Sequence, residues 1–198
     1  VKYYQREGLL PEGSRSAPNQ VEYGEQHVQR VRLLRAMLET GGLSIAATKS
    51  IIQALDTDDT PLAETFGIAQ HALATSRASD TEPTPESRER IVRLAEARDW
   101  CFTDDNPGIA AAARALDGLR SIDFDAPDFY LDGYASAAQA SASADLRALT
   151  TVVDPDGIAE LMVVGTILGD PLFAGLRRIA QQDATHELFP VEPKRDES

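Results

Sequence analysis

Beyond residue 83 a capping side chain stands directly before a proline at Thr84-Pro85, Asn106-Pro107, Asp154-Pro155 and Asp170-Pro171. An oxygen-bearing side chain in this place accepts a hydrogen bond from the open N–H groups of a helix's first turn. Proline, with its backbone angle pre-set and no N–H to leave unpaired, suits the first helical position. Each doublet therefore announces a helix. A further helix reads from about Pro127 to Leu149, and valine and isoleucine alternate with polar residues only briefly, at Thr151-Val152-Val153. These signals predict an all-α body. Ile158 to Leu168 is apolar nearly all round, which places it centrally. Gly169-Asp170-Pro171 reads as an interruption, after which Leu172, Phe173, Leu176, Ile179 and Ala180 resume the pattern in a second helix.

The first part of the chain is helical by its spacing. Val28, Val31, Leu34 and Leu38 recur three and four apart over Glu25 to Leu38, and Thr40-Gly41-Gly42-Leu43 breaks that run. Ser44 is placed to cap Ile45 to Leu55, where Ile45, Thr48, Ile52 and Leu55 share a face. Thr60-Pro61 opens an amphipathic helix with Leu62, Phe66, Ala69 and Leu73, running to about Ser76. The stretch 77–85 is polar and proline-bearing and reads as a linker. From Glu86 to Trp100 a helix turns Ile91, Leu94, Ala95 and Trp100 inward. The alanines of the Pro127 helix would let a neighbour pack closely or would line a cavity; tight packing is the expectation. Four parts follow: 1–56, 57–82, 83–189 and a fraying tail at 190–198.

The opening residues, Val1-Lys2-Tyr3-Tyr4-Gln5-Arg6-Glu7-Gly8-Leu9-Leu10-Pro11, carry the functional signal. Lys2 and Arg6 lie four apart and share a helix face, and Gly8 can close the turn before the Leu9-Leu10 pair docks. A short, basic-faced helix of this kind suits the DNA major groove, which admits one helix and exposes base edges to it. Residues 12–23 hold many turn formers and too few apolar side chains for a helix. Arg15 could follow a phosphate backbone there, and Arg32 and Arg35 could touch phosphate or simply solvate their helix.

Val1 to Leu10 resembles the MerR family of transcriptional regulators, whose recognition helix and following turn carry the basic residue, paired aromatics, arginine and Gly-Leu-Leu found here in the same order. The resemblance extends over residues 1 to about 56. It implies a winged helix-turn-helix DNA-binding domain, truncated at its start because the family's preceding helix is absent from the sequence, which would weaken DNA binding. In the family the wing occupies residues 12–23; Tyr23 keeps its last aromatic position, while Gln20, Val21 and Glu22 replace its usual Tyr, Arg and following residue, implying weaker phosphate contacts. The resemblance also implies a homodimer joined through a long helix after the DNA-binding domain, for which 57–82 is the first candidate. It implies binding to double-stranded promoter DNA with an overlong spacer, and duplex distortion that lets RNA polymerase engage. On this reading Lys2 and Gln5 reach base edges, and Tyr3, Arg6, Arg15, Tyr23, Arg30, Arg32 and Arg35 contact backbone.

Charge agrees only in its distribution. The chain carries a formal net charge of -13, which by itself opposes binding to nucleic acid. Within residues 1–35, however, Lys2, Arg6, Arg15, Arg30, Arg32 and Arg35 outnumber Glu7, Glu12, Glu22 and Glu25. A mildly basic head on an acidic body is the pattern of a DNA-binding unit with an attached effector or dimerisation part.

Other chemistry is sparse. Cys101 is the one cysteine, so no intramolecular disulfide, zinc thiolate pair or iron–sulfur cluster can be built from it, and His27, His71 and His186 lack metal-site spacing. No apolar run of 18 residues and no signal-peptide pattern is read, so a cytoplasmic protein without a membrane partner is expected. No nucleophile elbow, phosphate loop or zinc signature occurs, and neither enzymatic activity nor a cofactor is expected. A pocket for a small organic ligand would draw on Trp100, Phe102, Phe129, Tyr130, Tyr134, Met162 and Phe173, with Asp128 or Asp132 facing a cationic ligand. The alternative function is a ligand-binding or protein-interaction helical module that does not itself bind DNA.

Overall fold

The structure, a computed structural model, describes residues 1–17, 20–57, 60–76 and 81–189; of residues 15–17 and 20 it describes the backbone alone. The elements are α1 (Lys2–Arg6), β1 (Ser14–Ala17), β2 (Gln20–Glu22), α2 (Glu25–Arg35) continued by a π-helical turn (Ala36–Thr40), α3 (Ile45–Leu55), α4 (Leu62–Ser76), α5 (Pro85–Glu96), α6 (Pro107–Arg120), α7 (Asp128–Leu149) and α8 (Pro155–Leu188). Among the described residues the fold is helical apart from one antiparallel hairpin, in which Ser14 pairs with Glu22, Arg15 with Val21 and Ala17 with Gln20. Gly13 permits the hairpin to close: a Cβ there would lie 2.5 Å from the Glu22 carbonyl oxygen. Residues 77–80 of the linker and the whole tail from Pro190 lie outside the described residues.

The local start signals act as the chemistry requires. Ser44 Oγ accepts from the Ala47 N–H at 3.1 Å, Thr84 Oγ1 from Ser87 at 3.3 Å, Asn106 Oδ1 from Gly108 at 2.9 Å and Asp154 Oδ2 from Gly157 at 2.9 Å. Asp170-Pro171 does not open a new helix. Pro171 lies inside α8, which runs unbroken for 34 residues. An interior proline ordinarily costs about 3 kcal/mol. Here the chain upstream is enclosed by the core and the chain downstream is held to α7 through Arg177 and Tyr134, so continuity is retained. With α8 continuous, an 18-residue stretch of it is long and apolar enough, by length and composition, to cross a membrane, although Val163 and Ile167 within the helix are fully enclosed by protein.

Two apolar cores organise the molecule. The first joins Leu9, Leu33, Leu34, Met37, Leu43, Ile51 and Ile52 to Ala69 and Leu73 of α4 and to Val163 and Ile167 of α8. The amino-terminal unit therefore shares its core with elements far along the chain. Gly41 marks the closest approach: a Cβ there would lie 2.2 Å from Ile167 Cγ2 and 2.8 Å from the Met37 carbonyl oxygen. The second core is smaller, built from Leu116, Ala126 and Leu131 with Ile91, Leu94, Leu119 and Tyr130 around it.

Thr84 and Ser87 at the head of α5 meet α6 through one carboxylate. Asp117 accepts from the Thr84 N–H at 2.7 Å, from Thr84 Oγ1 at 2.6 Å and from Ser87 Oγ at 2.6 Å. These donors, Ser87 foremost, hold the Asp117 carboxyl below its ordinary range. A depressed carboxyl stabilises the fold above its unfolded pKa of about 3.9, and that contribution is lost as pH falls through the lower folded value. Asp117→Asn is accordingly expected to melt earlier than the parent at neutral pH, with the gap closing below about pH 3; thermal melts across pH 2–7 would check it.

The alanine-rich α7 is not deep in the bundle. Only Leu131 and Ala135 are buried on it. Tight packing was the expectation, and the helix instead turns Ala138, Ala142 and Ala148 toward an open groove facing α4 and α8. Small side chains leave room there because no neighbouring backbone moves in to fill it.

Candidate nucleic-acid interface

Helix α1 is built to present one face. Gly8, at φ +73°, closes it, with the Gly8 N–H donating to the Gln5 carbonyl at 3.0 Å and the Leu9 N–H to the Tyr4 carbonyl at 2.8 Å. Only glycine adopts this left-handed turn at no steric cost. Leu9 and Leu10 then drop into the protein at 1% and 3% exposure, and Tyr4 packs against the first core. What remains outward is Lys2, Tyr3 and Arg6. The Arg6 guanidinium lies 5.4 Å from the Tyr3 ring centre, and its side chain is 74% exposed. Glu7 stands 3.7 Å from it, a solvent-screened pair that an approaching phosphate could displace.

Gln5 links α1 to the segments that follow it. Its Nε2 donates to the Pro11 carbonyl at 3.2 Å and its Oε1 accepts from Tyr23 Oη at 3.4 Å. Tyr23 in turn stands edge-on to His27 at 5.3 Å, and His27 Nδ1 accepts from the Gly24 N–H at 3.2 Å. This chain of contacts fixes the hairpin relative to α1 and to the start of α2.

The arginines separate into two kinds. Arg32 is exposed. Arg30 reaches Asp56 with both terminal nitrogens, one at 3.2 Å and one closer, and its side chain is only 20% exposed. It ties α2 to the end of α3. Arg35 grips Glu39 with bonds of 2.9–3.0 Å. That pairing raises Arg35 and lowers Glu39 from their ordinary values, through the shared hydrogen bonds first. Arg15 lies on β1, and its side chain is outside the described residues. The outward basic set is thus Lys2, Arg6 and Arg32, with one addition. Lys49 of α3 places its Nζ 3.8 Å from where a Gly8 Cβ would sit, adding positive charge at the end of α1. Nothing local in the sequence signals it, since α3 and the α1 turn are joined only by folding.

The nine candidate pocket residues are not brought together. Trp100 and Phe102 are half-buried beyond the end of α5, and Phe129 is 77% exposed. Tyr130 and Tyr134 lie against each other at 4.8 Å, with Tyr134 Oη accepting from Arg177. The two acids assigned to a cationic ligand already hold arginines: Asp128 pairs with Arg90 at 3.1 Å and Asp132 with Arg98 at 3.2 Å. Met162 and Phe173 alone of the set line a groove of about 490 Å³ between α4, α7 and α8. Tyr130 and Tyr134 of α7 settle against the second core, each other and Arg177, while the α7 alanines take the open side. Among the described residues no group of three His, Cys, Asp or Glu side chains could hold a metal ion.

Comparison with known proteins bears on the same region. Residues 1–55 match the family described as MerR HTH family regulatory protein. No curated protein matches the chain significantly. Among solved structures, SCO5550 from Streptomyces coelicolor A3(2), described as a "putative transcriptional regulator", superposes with a TM-score of 0.69 at 24% identity, covering 98% of this chain and 92% of that one. At this identity the likeness establishes the shared fold. The family match is confined to the first 55 residues, whereas the fold is shared along nearly the whole chain.

Proposed function

We propose that this chain is a sequence-specific DNA-binding regulator that acts in the cytoplasm as a homodimer on promoter DNA, deforming the duplex in response to a small molecule so that RNA polymerase can engage. The observation that carries the reading is α1 itself: a short helix locked from behind by Gly8, Leu9 and Leu10, with Lys2, Tyr3 and Arg6 left outward. Lys2 would read base edges, where a good bidentate contact discriminates by about 1–3 kcal/mol. Tyr3, Arg6, Arg32 and Lys49 would meet phosphate and set register. In a homodimer the two α1 helices would engage half-sites one helical turn, roughly 34–36 Å, apart.

The test is fluorescence anisotropy with the duplex upstream of the protein's own gene. Lys2→Ala with Arg6→Ala is expected to weaken binding by about 100-fold and to flatten the salt dependence by roughly two phosphates. Arg30→Ala is expected to leave that salt slope unchanged, since its guanidinium is held by Asp56. The second reading, a helical ligand or protein-interaction module, is favoured by the pairing of Arg30 and Arg35 with acids; a folded dimer that binds no duplex at low salt would establish it over the first.

A further inference from the structure

We infer that α8 pairs antiparallel with α8 of a second copy, the exposed C-terminal half of each helix lying in the open groove between α4, α7 and α8 of the other. This assigns the interface of the homodimer proposed above and rests on that reading only for its consequence at DNA. One face of α8 is spent inside the chain, where Val163 and Ile167 are fully enclosed in the first core. At about 3.6 residues per turn, the opposite face carries an apolar stripe that runs from Ile158 to Ile179, roughly 33 Å. In the C-terminal half of that stripe Leu172, Leu176 and Ile179 are 65%, 57% and 67% exposed. In the N-terminal half it forms the floor of the groove, which Leu161, Gly165 and Gly169 help to line. Among the described residues, a Cβ on Gly165 would meet nothing within 4 Å. Such a continuous apolar surface marks a contact site, whereas scattered single side chains do not. Helix α4, by contrast, spends Ala69, Ala72 and Leu73 in the first core.

The spacing of the stripe names its occupant. It is the same from both ends about a point between Leu168 and Gly169: Gly165 and Leu172 stand equally far from that point, as do Leu161 and Leu176, and Ile158 and Ile179. With a two-fold axis there, each pair meets across the interface in both directions, as a contact between identical surfaces requires. Leu172 then falls over the partner's Gly165, where the missing side chain lets the helices approach closely. Ile158 and Leu161 meet the partner's Ile179 and the partner's Leu176. Charge at the rim follows the same symmetry. Glu160 and Arg178 are exposed, stand about five full turns apart on one flank, and lie within one residue of equal distance from the same point. An antiparallel pair sets each Glu160 beside the partner's Arg178, whereas a parallel pair would set glutamate against glutamate and glycine against glycine.

The test is sedimentation equilibrium of the whole chain, expected to be a dimer at micromolar concentration. Leu176→Glu, at an exposed position, should weaken self-association by about 100-fold or more while helix content stays unchanged. Gly165→Leu has room in the single chain but occupies the seat of the partner's Leu172, and should weaken it by about ten-fold or more. Orientation is read by a short bis-maleimide in a Cys101→Ser background. A Gly165→Cys chain mixed with a Leu172→Cys chain should crosslink far more than either alone. A monomer at micromolar concentration, a dimer indifferent to both Leu176→Glu and Gly165→Leu, equal crosslinking of each cysteine chain with itself, or a monomer that floats with phosphatidylglycerol vesicles would each overturn the inference. Duplex binding measured on the same samples separates the two readings. An α8 dimer that binds no duplex leaves the interface standing and removes the regulator; duplex binding by a dimer that ignores the α8 variants removes the interface assignment alone.

Discussion

Gly41→Val is expected to lower the melting temperature by roughly 5–10 °C, the largest loss from any substitution of a residue that carries no side chain to lose. Gly41 is in ordinary right-handed helical conformation, at φ -77°, so backbone strain does not enter. The cost is steric. Its first side-chain carbon would fall 2.2 Å from Ile167 Cγ2 and 2.8 Å from the Met37 carbonyl, and neither the enclosed isoleucine nor the backbone can yield freely. Overpacking of a close-packed core costs about 1–3 kcal/mol, and valine's branching places Gly41→Val at the upper end. Ile167→Ala would open space above the new side chain, so the double variant is expected to recover part of the loss. Thermal melts of the two single variants and the double would show it; simple additivity would mean that α8 does not rest on this turn.

Leu9→Ala is expected to destabilise the chain by about 2–5 kcal/mol and to weaken duplex binding far more than an exposed α1 variant of equal size change. Leu9 is 1% exposed and packs in the first core immediately after the Gly8 turn. Removing its branched end leaves a cavity where α1 is anchored, while Lys2 and Arg6 keep their chemistry. If α1 reads DNA as a rigid helix, affinity falls because its ordering must then be supplied at the moment of binding. Urea unfolding together with anisotropy separates the two effects. Full stability loss with unchanged DNA affinity would place recognition elsewhere.

The features readable from the chain alone were those settled within one turn. Ser44, Thr84, Asn106 and Asp154 cap their helices as their spacing predicts, because a side-chain oxygen and an N–H two or three residues on need no other part of the protein. Gly8 likewise ends α1 by local geometry. The resemblance in residues 1–55 was legible for the same reason, since it lies in a contiguous run.

Everything that depended on distant segments meeting was decided by the tertiary structure. Arg30 is neutralised by Asp56, 26 residues away, and Lys49 comes beside α1 only once α3 has packed. Pro171, locally a stop, is carried through because core contacts before it and Tyr134 after it hold one continuous helix. The α7 alanines face an open groove, while Tyr130 and Tyr134 of the same helix pack against each other and toward Arg177. A cap is a bond between neighbours in sequence; an ion pair, a groove or a tolerated proline exists only through the free energy of packing surfaces whose separation along the chain carries no local signal.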